Sequence, residues 1–436
     1  MSAPQHERPP DMSALMWEAG AESRPREALE RQTLEGLRRT LGHVLAHAAW
    51  RRRLDGVEPG DIRTTADWSR LPFLTKDELR DAYPFGLACV EPERVLRVHM
   101  SSGTTGNPVL NPYTRADVDQ WATVMARCYV AAGVGARDVV QITPSFGLFT
   151  GGFGFHYGAE RIGAMVVPIG AGRTSLQLQL MRDLGATVLA GISTYPLRIL
   201  EVAREERFDL GSLRLRVAIL GSEMWSDDLR RLIERELAVT TFDIIGMTET
   251  GGPGLGIDCG ARDGIHVWED HYFCEVVDPT TGRPRADGEE GELVVSTLTR
   301  EGLPLIRYRT HDLTRVLSRE PCACGRTHLR LDRLHGRTDD MVIFRGVNFY
   351  PRQIESLLLK QPGVGHEYQI VLDRAPGGSD RLALLLEAQA GFAETGLPRL
   401  RSELRQFLNL SPEITLLKEG ELPRPPGKAV RVVDRR

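Results

Sequence analysis

Val217-Ala218-Ile219-Leu220 and Phe242-Asp243-Ile244-Ile245 are two short apolar runs separated by a stretch of helical length. The same alternation extends toward the N-terminus through Val139–Ile142, Met165–Ile169 and Thr187–Ala190. Short apolar strands that alternate with longer helical segments need crossover connections, and these build a mainly parallel sheet with helices on its faces. The fold class read here is α/β, with the sheet in a large N-terminal domain.

The flanking regions differ. The first residues are polar and Pro-rich, and the tail is expected to stay loose until about Arg26. Leu34, Leu37, Leu41, Val44 and Ala48 then recur at helical spacing. Thr75 and Glu78 have capping-box spacing and open another helix after Leu71-Pro72-Phe73. Between 265 and 335 the pattern turns to short strands, among them Glu292–Ser296. After Gly336 comes a smaller unit: strand Met341–Phe344, helix Pro351–Leu359, strands Tyr368–Leu372 and Leu382–Glu387, and helix Pro398–Leu408. The expected division is a large domain over 1–336 and a small mobile α+β domain over 337–436.

Composition narrows the function classes. The chain has 436 residues, 41% of them hydrophobic, and a net charge of −4. That balance gives no reason to expect a nucleic-acid or anionic-membrane partner. No apolar run approaches the roughly 18 residues of a membrane span. The first 25 residues contain no apolar signal-like segment, so a cytoplasmic location is expected. The six cysteines are then thiols or metal ligands.

The strongest local motif is Ser101-Ser102-Gly103-Thr104-Thr105-Gly106-Asn107-Pro108, directly after the strand-like Val95–Met100. Small residues let backbone N–H groups turn toward phosphate oxygens, and hydroxyls add donors. It is not a Walker A loop, because the Gly-Lys-Ser/Thr ending is missing. Alone it reads more readily as a solvent-exposed polar turn. It is followed in order by Gly246-Met247-Thr248-Glu249-Thr250, Tyr308-Arg309-Thr310-His311-Asp312, Gly336-Arg337-Thr338-Asp339-Asp340, Arg345-Gly346-Val347-Asn348 and Pro426-Gly427-Lys428.

That ordered series resembles the adenylate-forming superfamily of acyl-CoA synthetases, adenylation domains and luciferases. Leu148-Phe149-Thr150-Gly151-Gly152, His156-Tyr157-Gly158-Ala159-Glu160 and Trp268-Glu269-Asp270-His271 bring it nearest to the phenylacetate–CoA ligase family, over roughly residues 70 to 436. The resemblance implies an AMP-forming acid–CoA ligase: a small, aromatic acid reacts with ATP to an acyl-adenylate, and coenzyme A then displaces AMP. An alternative acceptor is the phosphopantetheine of a carrier protein. A catalytically dead scaffold on the same fold is disfavoured by the presence of Glu249, Asp312 and Lys428 together.

The resemblance also assigns residues. Ser102, Gly103, Thr104, Thr105 and Gly106 would hold the phosphates. Gly221, Ser222, Glu223, Asp243, Ile245, Gly246, Met247, Asp312 and Arg337 would complete the ATP site, with Asp312 on the ribose hydroxyls. Thr248, Glu249 and Lys428 would be catalytic, Glu249 holding Mg²⁺ and Lys428 bridging the α-phosphate and the carboxylate. Asp339 matches the pivot of the small domain, and Arg345 and Gly346 the coenzyme A tunnel. Phe146, Phe149, Gly151 and Pro253, with Gly221, would shape the acyl pocket. Two departures stand out: Asn107 replaces the family's lysine after the second loop glycine, and Ile245 replaces the tyrosine that stacks on adenine. Pro144-Ser145-Phe146-Gly147 also lacks one of the family's pocket aromatics.

Cys259-x6-His266 and Cys322-Ala323-Cys324 offer three thiolates and an imidazole, which suits a closed, structural Zn²⁺. Cys89, Cys128 and Cys274 read as buried small hydrophobes. Expected partners are the acid, ATP and coenzyme A, with a carrier protein and a homodimer left open.

Overall fold

The computed structural model describes residues 16–101, 107–338, 342–344, 347–374, 380–389, 391–423 and 431–436. Ser102, Gly103, Thr104, Thr105, Gly106, Asp339, Arg345, Gly346 and Lys428 lie outside the described residues.

The N-terminal region holds α1 (Ala19–Glu22), α2 (Arg26–Leu45), α3 (Ala48–Arg53), α4 (Thr65–Trp68) and α5 (Lys76–Asp81). The tail is ordered earlier than expected. Glu22 and Arg326 form a fully buried ion pair at 2.8 Å, and the Thr327 backbone N–H donates to the Glu22 carbonyl at 3.1 Å. These contacts come from more than 300 positions away, so no local pattern could reveal them. The capping box that opens α5 is present: Glu78 N donates to Thr75 Oγ1 at 3.3 Å and Thr75 N to Glu78 Oε2 at 2.8 Å.

A hairpin, β1 (Arg97–Met100) with β2 (Leu110–Tyr113), leads into α6 (Arg115–Ala131). The alternating region then follows: β3 (Val139–Ile142), α7 (Gly151–Arg161), β4 (Met165–Val167), α8 (Thr174–Asp183), β5 (Val188–Ile192), α9 (Tyr195–Glu205), β6 (Val217–Gly221), α10 (Asp227–Leu237) and β7 (Thr240–Met247). β4, β3, β5, β6 and β7 are neighbours in that order and all parallel. Antiparallel β8 (Gly252–Asp258) and β9 (Ile265–Val267) extend the sheet. The apolar runs are continuous because both faces are buried. Val217 and Ile219 pack with α6 and α7, whereas Ala218 and Leu220 pack with α8, α9 and α10. Burying each Val, Ile or Leu of this kind contributes roughly 1.5–3 kcal/mol. β4 stops at Val167 because Pro168 has no N–H to offer a ladder.

A four-stranded antiparallel sheet follows, from β10 (Tyr272–Val277), β11 (Gly291–Thr297), β12 (Tyr308–Thr314) and, after β13 (Val316–Ser318) and β14 (Arg330–Leu331), β15 (Gly336–Arg337). β13 and β14 instead complete the nine-stranded sheet beyond β9. α2 and α3 pack on the four-stranded sheet through Leu37, Leu41, Trp50, Leu298 and Leu305.

The smaller C-terminal unit has its own core around Phe349, Ile354, Ile370, Leu384, Leu400 and Leu404. It comprises the hairpin β16 (Val342–Phe344) and β17 (Val347–Phe349), α11 (Pro351–Leu358), β18 (Val364–Arg374), β19 (Asp380–Ala388), α12 (Phe392–Thr395), α13 (Leu397–Leu408), β20 (Glu413–Leu417) and β21 (Val432–Asp434). β18 and β19 pair antiparallel, with β21 and β20 added parallel at the edges. Leu359 packs against the core under α8, α9 and α10. No helix among the described residues is long and apolar enough to cross a membrane.

Candidate active site

Parallel strands direct all their C-terminal ends to one edge, and the loops that leave that edge form a crevice. Here those loops carry Pro144–Thr150 after β3, Ser193 and Thr194 after β5, Ser222 and Glu223 after β6, and Thr248–Gly251 after β7. Gly221 ends β6 where a Cβ would lie 2.1 Å from the Ile244 carbonyl, so only glycine fits. Ser222 continues with φ +69°. Thr194 Oγ1 donates to Glu223 Oε2 at 2.7 Å, which fixes the carboxylate over the edge. At Gly246 a Cβ would meet the Gly252 carbonyl at 2.3 Å, and this close approach lets β7 turn back into β8.

Not every expected residue faces the crevice equally. Ile245 belongs to the central core and is 6% exposed. Asp243 is buried one turn of the pleat earlier. Its Oδ2 accepts from Arg333 Nε at 2.7 Å, and its own N–H donates to Asp258 Oδ1 at 2.9 Å.

The turn after β7 is held from behind. Thr250 Oγ1 donates to the Met247 carbonyl at 3.1 Å. Asn111 Nδ2, on β2, donates to the Thr248 and Glu249 carbonyls at 2.5 and 3.2 Å. Buried Arg300 in turn donates to Asn111 Oδ1 at 2.9 Å and lies 4.2 Å over the Tyr113 ring. Glu249 is only 4% exposed, and its Oε1 lies 3.3 Å from Lys76 Nζ. Lys76 is the first residue of α5, so the capping box delivers this cation to the site. Lys76, Asn111 and Arg300 belong to none of the motifs read from the sequence. Only the Thr75–Glu78 box lay close to one of them, as a helix signal.

Asp312 and Arg337 face each other across β12 and β15, with Arg337 Nη1 donating to Asp312 Oδ1 at 2.9 Å. The Asp312 N–H donates to Thr310 Oγ1 at 3.0 Å. The Tyr308 phenol is pushed well up by its burial and then by the Glu249 charge, with Asp312 and Arg337 also within electrostatic reach. The structure thus brings Glu249, Asp312 and Arg337 together around one tyrosine.

Phe146 and Phe149 have different settings. Phe146 is half-buried and meets Phe153 and His156 edge-on, at 5.4 and 6.0 Å between centroids. A Cβ on Gly152 would lie 2.7 Å from the Ser145 carbonyl and 3.1 Å from the Phe146 ring, and one on Gly151 would lie 3.2 Å from Pro144. The glycines at the start of α7 therefore let the 144–146 loop lie on the helix. Phe149 is 51% exposed. The Pro253 carbonyl accepts from Trp121 Nε1 at 2.9 Å, beside Gly154.

Residues 32–299 match the AMP-binding enzyme family, and residues 346–436 match the AMP-binding enzyme C-terminal domain. The chain belongs to the AMP-binding enzyme family. This AMP-binding enzyme is 41% identical to a phenylacetate-coenzyme A ligase of Escherichia coli (strain K12), over 94% of the chain and 95% of that protein. A phenylacetate-coenzyme A ligase of Thermus thermophilus is 40% identical, over 97% of this chain and 100% of its own. Among solved structures, 2-hydroxyisobutyryl-CoA ligase in its postadenylation state superposes with a TM-score of 0.89 at 27% identity, covering 100% of this chain and 95% of that one. The same ligase in its thioesterification state gives 0.73. The enzyme is an AMP-forming acid–CoA ligase, with a carboxylic acid, ATP and coenzyme A as its substrates. Carrier-protein loading is not favoured, since these relatives are CoA ligases.

A second cluster of this AMP-binding enzyme lies on the far strands of the main sheet. Cys259 follows β8, His266 lies in β9, and Cys322 and Cys324 lie in the turn between β13 and β14. All four are buried, and their ligand atoms lie within 4.8 Å of one another. Cys259 Sγ is 3.8 Å from Cys322 Sγ, and Cys324 Sγ is 3.4 Å from His266 Nε2. Gly325, at φ +84°, makes the turn, and its N–H donates to the Cys322 carbonyl at 2.8 Å. Burial opposes charge on His266, but the Cys322 and Cys324 thiols outweigh it and hold its pKa above the ordinary value. Cys89, Cys128 and Cys274 are buried free thiols, as expected.

Proposed function

We propose that the acid is a small aromatic carboxylate and that its ring lies beside Phe146 at the carboxyl edge of the parallel sheet. The observation that carries this reading is the aromatic cluster of Phe146, Phe153 and His156 next to the glycines of α7. Flat rings meeting edge-on make a wall suited to another flat ring. Half-exposed Phe149 and Pro253 would close on the ring from the mouth. The relatives named as phenylacetate-coenzyme A ligases agree with an aryl acid.

The site residues take their roles around this pocket. Residues 102–106 would hold the β- and γ-phosphates, and Asp312, oriented by Arg337, the ribose hydroxyls. Gly221, Ser222, Glu223, Asp243, Gly246 and Met247 would frame the adenine and sugar, with little of Ile245 left to touch the base. Lys428 would stabilise the charge that gathers as the carboxylate attacks the α-phosphorus. Glu249 fits a Mg²⁺ ligand, because its buried Oε1 has a cation beside it and no hydrogen bond among the described residues. The ion would neutralise phosphate charge when bound.

The small domain would turn about Asp339, between an adenylation and a thioester-forming arrangement, with Arg345 and Gly346 along the pantetheine path. We place the domain boundary after Gly336, as in the sequence reading. The better match to a postadenylation state than to a thioesterification state supports two arrangements of this kind.

Cys259, His266, Cys322 and Cys324 fit one structural Zn²⁺. A tetrahedral ion with Zn–S near 2.3 Å and Zn–N near 2.1 Å needs S···S edges of about 3.8 Å and S···N edges of about 3.6 Å. The measured 3.8 and 3.4 Å are close to both. Six free, buried cysteines agree with a cytoplasmic location.

The deciding experiment is pyrophosphate release against a panel of aryl and short aliphatic acids, followed by thioester formation with coenzyme A. Aryl acids are expected to give the highest kcat/KM. A preference for short aliphatic acids would overturn the aryl assignment.

A further inference from the structure

His43 and His47 stand four residues apart, His43 in the last turn of α2 and His47 at the N-cap of α3. Their rings meet edge-on with centroids 5.7 Å apart. Cys89, from the turn after α5, comes in beneath them and is 2% exposed. Ligand atoms of all three residues lie within 4.8 Å of one another. None of the three belongs to a motif of the adenylation site.

The surroundings hold the trio together, and the Cys89 thiol donates to the Leu87 carbonyl at 3.7 Å, so an ion that bound here would displace the thiol proton. The Glu301 carbonyl lies 3.0 Å from His43 Nε2. A carbonyl can only accept, so Nε2 carries the proton and the lone pair is on Nδ1. A backbone carbonyl that orients an imidazole through its other nitrogen is the usual support of a histidine ligand. Cys89 N donates to the neighbouring Gly302 carbonyl at 2.8 Å, so the same turn anchors the thiol. Trp50 Nε1 donates to the Leu87 carbonyl at 3.0 Å and holds the approach to Cys89. Burial and then the neighbouring His43 hold the His47 pKa below the ordinary value, against the Cys89 backbone and the Glu91 carboxylate, which keeps the ring neutral. Both imidazoles are half-buried, which leaves an entry path from solvent.

We propose that His43, His47 and Cys89 form a second metal site for a borderline-soft divalent ion, Zn²⁺ foremost. Two imidazoles and one thiolate are the donors such ions select over Mg²⁺ or Ca²⁺. With three protein ligands the site is open: the fourth position faces solvent and takes water or a small anion. The Cys259–His266–Cys322–Cys324 cluster has four ligands and would be closed. An ion at the new site would tie α2 and α3 to the turn before β1 and to the 301–302 turn.

The test counts Zn²⁺ alone on the full-length, metal-stripped enzyme against a chromophoric chelator. Two ions per chain are expected for the wild type, and one for Cys89→Ala. His47→Gln should weaken the second ion at least roughly 10–100-fold, the cost of losing even an outer partner. Thermal melting of both variants checks that they fold. If Cys89→Ala and the wild type bind the same number of ions with the same affinities, the site does not exist. If the wild type binds one ion and folded Cys89→Ala binds none, this site stands and the four-ligand cluster is the empty one.

Discussion

Lys76 Nζ lies 3.3 Å from Glu249 Oε1, joining the first residue of α5 to the turn after β7. The lysine side chain is 31% exposed and the carboxylate 5%. Lys76→Met therefore leaves a buried carboxylate without its cation, at a cost of about 1–2 kcal/mol after allowing for solvent near the lysine. Mg·ATP should stabilise this variant more than it stabilises the wild type, because an ion at Glu249 replaces the lost charge. Thermal shifts with and without Mg·ATP measure both terms. Equal ligand-induced shifts in the two proteins would remove Glu249 from the metal site.

Lys428→Ala should suppress acyl-adenylate formation by roughly 10²–10³-fold, as expected for removal of charge stabilisation from that transition state. Thioester formation from supplied acyl-adenylate should be largely spared. Pyrophosphate exchange reports the first step and thioester yield the second. Equal loss in both steps would show that one arrangement of the small domain serves both reactions.

Phe149→Ala and Phe146→Ala should behave differently. Phe149 is half-exposed, so its truncation should leave stability nearly unchanged and raise KM for the acid more than KM for ATP. Phe146 packs on Phe153 and His156 while half-buried, so its truncation should also cost about 1–2 kcal/mol of stability. Denaturant unfolding beside steady-state kinetics separates the two. A Phe149→Ala enzyme with unchanged KM for the acid would place that ring outside the pocket.

If the proposed zinc ions are present, stripping them with a chelator should destabilise the enzyme and make Cys259, Cys322, Cys324 and Cys89 reactive, while Cys128 and Cys274 stay protected in the core. Elemental analysis together with thiol counting follows both changes. A metal-free protein of unaltered melting temperature would show that packing alone holds these side chains.

His328 should make stability sensitive to acid. Glu269 N–H donates to His328 Nδ1 at 3.0 Å, so that nitrogen must keep its lone pair, and Nε2 faces the Ala21 carbonyl at 3.2 Å. Burial, against the charges of Asp270 and Glu269, lowers its pKa from 6.5 to about 4. The unfolded chain therefore takes up this proton first. Stability is full above pH 6.5 and is lost as pH falls from there to about 4, by up to about 1.4 kcal/mol per pH unit. His328→Gln should flatten this slope relative to the wild type. An unchanged slope would assign the acid sensitivity to carboxylates instead.

How much could be read in advance depended on how local the cause was. The parallel sheet was readable because strands buried on both faces, such as Val217–Gly221, must be apolar at every position. The capping box of α5 was readable because its two partners are three residues apart. Glu249 and Asp312 stood out through the resemblance of their motifs, but the motifs do not say what surrounds them. The order of Ala19–Glu22 went unseen, since the partners that hold it lie near residue 326.

What the sequence determined by itself is the order of strands and helices and the chemical types in each motif, because periodicity and caps act over a few residues. The tertiary structure alone decided that Lys76 meets Glu249, that Asn111 and Arg300 brace the turn after β7, and that His43 and His47 meet Cys89. It also brought Cys259 against Cys322, 63 positions away. The physical reason is the same in each case. These contacts form only after loop closure has been offset by the burial of whole sheets and helices, and no short window of sequence carries that information.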